Sequence, residues 1–78
     1  SSFSYDSLVS QLEYEGFSYD EAVYGADNCG ADWYEQAVAK AKSYLEFTSF
    51  SREGLKNQLE YEGFTEDQVK YALDEIGY

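Results

Sequence analysis

Sixteen carboxylates, one thiol, nine tyrosines and no histidine make up the reactive side chains of this 78-residue chain. The carboxylates recur in close pairs, Glu13 with Glu15 and Glu60 with Glu62. Such a pair does acid–base work only when one member sits in an apolar cleft that raises its pKa. Both pairs fall beside a glycine at the end of a short helical stretch, where solvent is expected, and they read as surface. Cys29 has no histidine to activate it, so a small buried hydrophobe is its expected role. Asp27, Gly30 and Asp32 only loosely suggest a calcium loop, whose alternating acids, central glycine and terminal glutamate are missing. No catalytic, cofactor or metal-ligating residue is therefore assigned, and the chain is not expected to be an enzyme.

The acids act more as a field than as individual reagents. Residues 1–39 hold eight carboxylates and no Lys or Arg, while the other eight share residues 40–78 with Lys40, Lys42, Arg52, Lys56 and Lys70. The first half is thus near −8 and the second near −3, within a formal total of −11. A surface of this sign repels phosphate backbones and anionic lipid heads and attracts basic segments, more weakly as salt rises. Nucleic acid and bare membrane are poor partners on that ground, and self-repulsion favours a monomer. The tyrosines are too many to bury in so small a chain, and tyrosine beside carboxylate suits protein recognition.

These side chains must be positioned by elements that the sequence announces twice. Aligning residues 3–30 with 50–77, a shift of 47, gives fourteen identities in twenty-eight positions, including QLEYEGF at Gln11–Phe17 and Gln58–Phe64. In the first copy Ser4 is a helix cap, Leu8 and Leu12 share one face, Gly16 ends the helix, and Ser18 with Glu21 forms a capping box for the next. The second copy repeats this with Ser51, Leu55, Leu59, Gly63, and Thr65 with Gln68, and Gly30 and Gly77 close the second helices. Between the copies Asp32 and Glu35 are expected to make another capping box. Beyond it Trp33, Ala37, Ala41, Tyr44 and Leu45 recur at helical spacing to about Phe47. The expected fold is all-α: tandem helix-turn-helix repeats, two short helical pairs joined by a longer connecting helix. It forms a single compact domain over 1–78, with repeat 1 at 3–30, the connecting helix at 32–48 and repeat 2 at 50–77.

The expected core is Phe3, Leu8, Leu12, Phe17, Ala22, Ala26 and Cys29, with Phe50, Leu55, Leu59, Phe64, Val69, Leu73 and Ile76. Where the first copy has Ala22, Ala26 and Cys29, the second has the larger Val69, Leu73 and Ile76. Trp33 with Tyr34 is expected to fill that space. A helix-turn-helix often reads DNA through its second helix, here Tyr19–Cys29 or Glu66–Ile76. These offer no cation and Lys70 alone, whereas affinity for DNA needs several.

The segments GADWYEQAVAKAKSYLEFTSF and FSREGLKNQLEYEGFTEDQVKYALDEIG resemble the Ltp family of host cell surface-exposed lipoproteins, which includes superinfection-exclusion proteins of temperate phages of Gram-positive bacteria. The resemblance covers nearly the whole chain. It implies a lipid anchor, a linker and an external domain of helix-turn-helix repeats, acting from the outer face of the bacterial membrane to block DNA injection by an incoming phage. The implied partner is the phage tape measure protein, ejected ahead of the DNA. No lipobox or apolar span of about twenty residues occurs here. Ser1-Ser2 is read as the start of an excised fragment, soluble by itself, with membrane contact only through an anchor outside it.

Combining charge with resemblance selects Glu13, Glu15, Asp20 and Asp27, with Glu60, Glu62, Asp67 and Asp74, as an acidic face for a basic segment of that protein. Two other classes compete. A general surface adhesin would share fold and charge, and an acidic mimic of DNA would require a cytoplasmic setting, so a lipoprotein signal in the full gene discriminates.

Overall fold

Hydroxyl or carboxyl side chains at Ser4, Ser18, Asp32, Ser51 and Thr65 each cap a helix. The computed structural model describes residues 3–78; Ser1 and Ser2, read above as a fragment start, lie outside the described residues. The helices are α1 (Tyr5–Tyr14), α2 (Tyr19–Asp27), α3 (Trp33–Phe47), α4 (Arg52–Tyr61) and α5 (Glu66–Glu75), with no strand among the described residues. The protein is all-α. Under the 47-residue shift the bounds of α1 and α4 coincide, and α2 stops one residue short of α5.

Ser18 with Glu21 and Thr65 with Gln68 are reciprocal capping boxes, each satisfying two backbone donors that a helix start leaves open. The box expected at Asp32 forms only in one direction. Asp32 Oδ1 accepts from the backbone N–H of Tyr34 and Glu35 at 3.0 and 3.3 Å. Glu35 does not return the bond; its Oε2 accepts the Tyr71 hydroxyl at 2.9 Å. At the other ends, α1 and α4 close identically. Gly16 and Gly63 take φ of 105° and 103°, and the next residue's N–H returns to Leu12 or Leu59. This arrangement satisfies helix carbonyls that would otherwise lack donors.

Two apolar clusters form. The larger joins α3, α4 and α5 through Ala37, Val38, Ala41, Leu55, Leu59, Phe64, Val69, Ala72 and Leu73. Ala37 and Ala41, four apart, are small enough to bring α3 close against α5, its most extensive neighbour. Leu55, Leu59 and Leu73 are essentially fully enclosed, each contributing about 1.5–3 kcal/mol of burial. The smaller cluster holds α1 to α2 with Val9, Ala22 and Ala26, flanked by Tyr5, Leu8, Leu12 and Val23.

The expected core needs correction in this smaller unit. Phe17 is half exposed and Cys29 is exposed, since no further helix among the described residues lies over that side of α2. Cys29 also falls two residues beyond the end of α2, its thiol donating to the Ala26 carbonyl at 3.3 Å. Phe3, Leu8, Leu12, Phe50 and Ile76 are half-buried, whereas Val9, Val38 and Ala72, absent from the expected core, are buried. Trp33 is half-buried and meets the first unit through Phe3 and Tyr5, while Tyr34 turns to the second and packs edge-on to Tyr71. The molecule measures 38 × 19 × 18 Å, and no described helix is long and apolar enough to cross a membrane.

Candidate protein-binding surface

The start of α1 is clipped to the three-helix unit by polar groups. Ser4, the one buried polar side chain among the described residues, donates through Oγ to the carbonyl of Glu62 at 2.7 Å. Ser7 Oγ donates to the same carbonyl at 3.0 Å. A Cβ on Gly63 would stand 2.7 Å from Ser4 Oγ, so a glycine is what allows this approach. The Phe3 N–H donates to Gln36 Oε1 of α3 at 3.1 Å, and the Phe3 and Tyr5 rings meet Trp33 at centroid separations of 5.9 and 5.6 Å.

An open groove of about 640 Å³ follows this seam, between α1 and the end of α4. Its walls are Asp6, Ser7, Ser10 and Gln11 on one side and Glu60, Tyr61, Glu62 and Gly63 on the other. The repeated QLEYEGF motif thus contributes from both copies. The groove brings together Glu60 and Glu62 of the eight selected acids and adds Asp6 and the exposed Tyr61, which charge counting did not select. The available signal for Tyr61 was its place inside the repeated motif; for Asp6 there was none, since nothing local says what its helix faces.

The other selected acids do not converge there. Glu13, Glu15, Asp20 and Asp27 are exposed, and among the described residues none has a cationic partner. Asp27 accepts the Tyr5 hydroxyl at 2.7 Å, and Glu15 accepts Gln11 Nε2 at 2.9 Å. In the second copy Glu60 pairs with Lys56 at 3.4 Å, Glu62 with Lys40 at 3.3 Å, and Asp74 with Lys70 at 2.9 Å and Arg52 at 3.4 Å. Arg52 also donates to the Tyr78 carbonyl. Asp67 is exposed and outside these pairs. Residues 3–30 thus carry six carboxylates and no cation, while residues 32–78 carry ten carboxylates against five cations, so the net negative charge per residue, and with it the long-range attraction for a basic segment, is greater on α1 and α2.

Several tyrosines stand outward among these acids, including Tyr14, Tyr19, Tyr24 and Tyr61. Tyr5 is tied down: its bond to Asp27 pushes its pKa up to about 12, since the nearby carboxylate opposes a phenolate. Tyr71 is raised in the same way by its bond to Glu35. Glu21 is held below the ordinary carboxylate range by the backbone and hydroxyl donors of Ser18, and Asp74 by Lys70 and then Arg52. Among the described residues no three carboxylates or thiols converge as a metal cage would require.

The model of one family, described as host cell surface-exposed lipoprotein, matches residues 32–76, which span α3, α4 and α5. Neither a curated protein nor a solved structure matches the chain.

Proposed function

Since this chain belongs to the host cell surface-exposed lipoprotein family, we propose that it is the external domain of a superinfection-exclusion lipoprotein. Anchored outside the bacterial membrane, it blocks DNA injection by binding the phage tape measure protein as that protein leaves the particle. The observation that carries this reading is the cation-free acidic surface of α1 and α2. These two helices and their ends hold six of the eight carboxylates in residues 1–39, a stretch without a Lys or Arg, and Glu13, Glu15 and Asp20 stand in solvent with no ion pair among the described residues.

Physically, the capture has two stages. The field draws in a basic segment at a rate that falls with ionic strength. Tyrosines beside the acids then supply contact area and hydroxyls for a shorter-range fit. Stalling the ejected protein stops the DNA behind it, so no bond needs to be made or broken.

The test uses the domain anchored on sensitive cells. Glu13→Lys, Glu15→Lys and Asp20→Lys together convert the field without removing Asp27, which holds Tyr5. Restored injection of phage DNA is expected, with helicity unchanged by circular dichroism. Undiminished exclusion by the folded triple variant would overturn the acidic-capture account.

A further inference from the structure

The two helical pairs carry the same residues on one side, yet only one pair has that side covered. On α4 and α5 the cover is α3. Ala37, Val38 and Ala41 share a buried cluster with Leu59 and Phe64. Around that cluster, Gln58 Nε2 donates to the Tyr44 hydroxyl at 3.1 Å, Tyr71 donates to Glu35 at 2.9 Å, and Lys40 lies 3.3 Å from Glu62. Moving back 47 residues turns Gln58, Leu59, Glu62, Phe64 and Tyr71 into Gln11, Leu12, Glu15, Phe17 and Tyr24, five identities.

In the first pair those positions are open. Phe17 is 50% exposed where Phe64 is 4%, and Tyr24 is 71% exposed where Tyr71 is 37%. Glu15 has no cation where Glu62 has Lys40. Beneath them the residues are smaller: Ala22, Gly25 and Ala26 replace Val69, Ala72 and Leu73. A Cβ on Gly25 would lie 3.2 Å from Leu12 Cδ1, so Leu12 packs directly against the α2 backbone there and remains half-buried beside the exposed Phe17.

We propose that this side of α1 and α2 is a docking site for a basic amphipathic helix of a partner protein, seated as α3 is seated on α4 and α5. Charge complementarity selects the occupant. The site lies in the half of the chain with eight carboxylates and no cation, so a Lys or Arg of the incoming helix takes the place beside Glu15 that Lys40 takes beside Glu62. A second copy of the chain, at −11 and with its own α3 engaged, is repelled instead. The mode is helix-in-groove recognition, in which anchors four residues apart enter a preformed apolar surface. This inference rests on the capture reading above and specifies the shape of what is captured.

The probe is a synthetic peptide of residues 32–48, the α3 sequence, carrying Glu35→Lys and Glu46→Lys so that it is basic. Titrated into the full chain at low salt and followed by backbone amide NMR, it is expected to shift Leu12, Phe17, Gly25 and their neighbours. Phe17→Ser and Glu15→Lys, each verified as folded from its spectrum, should each weaken binding by about tenfold or more, the scale of one good anchor. Shifts confined to α4 and α5, unchanged affinity in both variants, or self-association of the chain through this side would overturn the proposal. The same variants tested against tape measure protein separate the two claims. Undiminished binding of that protein overturns the helix site and leaves capture intact. Binding of the peptide with none of the tape measure protein keeps the helix site and overturns capture.

Discussion

Ser4 and Ser51 occupy matched positions in the two copies and cap matched helices, but they are not energetically equivalent. Ser51 is exposed, and its removal costs a cap, about 1 kcal/mol. Ser4 is buried and also donates to the Glu62 carbonyl, so Ser4→Ala should cost about 2–3 kcal/mol as cap and buried hydrogen bond are lost together. Chemical denaturation of the two variants checks the difference, and equal losses would deny the seam its role. The glycines make a parallel pair. Both have positive φ, but a Cβ on Gly16 meets nothing within 4 Å, whereas one on Gly63 meets Ser4 and Asp6. Gly63→Ala is expected to be the more damaging and to loosen α1 from α4. Tyr5 gives a pH signature. Its pKa rises from the ordinary 10.0 to about 12 in the folded chain, so its bond to Asp27 stabilises fully below pH 10 and is lost as pH climbs through 12. Wild type should lose stability relative to Tyr5→Phe across that window, measured by denaturation at stepped pH. The sequence made each cap legible; it could not show that Ser4 faces Glu62, because that depends on fifty-odd residues of intervening chain.

At the scale of elements, the five helices were legible because caps, glycine stops and apolar spacing agree for each. What periodicity leaves open is whether an apolar side is covered. Phe17 and Phe64 lie in identical heptapeptides, yet Phe64 is buried in the cluster that α3 joins while Phe17 is half exposed. The acidic groove was legible to the same degree: Glu60 and Glu62 stood out by charge, but their juxtaposition with Asp6 needs the packing of α1 on α4. The uneven cover has a measurable consequence. The α1–α2 pair shares no buried apolar cluster with the rest and encloses Val9, Ala22 and Ala26, against nine buried residues around α3. Amide hydrogen exchange should therefore be faster throughout α1 and α2 than in α4 and α5. Leu55→Ala, at a fully enclosed site, should cost about 2–5 kcal/mol. Leu8→Ala, at the half-buried counterpart, should cost clearly less. Uniform exchange protection would mean that the two units unfold together.

For the whole molecule, the distribution of charge matters more than its total. The three-helix unit that matches the family pairs several of its acids with lysine or arginine, while the α1–α2 unit carries its acids uncompensated and its apolar side uncovered. One unit is built for stability, and the other presents the field and the surface that a basic partner would meet. The sequence showed this asymmetry in its count of cations, though not that the bare charge and the uncovered side would coincide. On the reading proposed above, this surface captures a protein injected ahead of phage DNA. Calorimetric titration of the chain with the tape measure protein of an excluded phage, at low and at moderate salt, tests it most directly. Binding is expected to weaken as salt rises and to be lost when Glu13, Glu15 and Asp20 are replaced by lysine. Absence of binding at either salt, or binding indifferent to both salt and charge reversal, would contradict that reading.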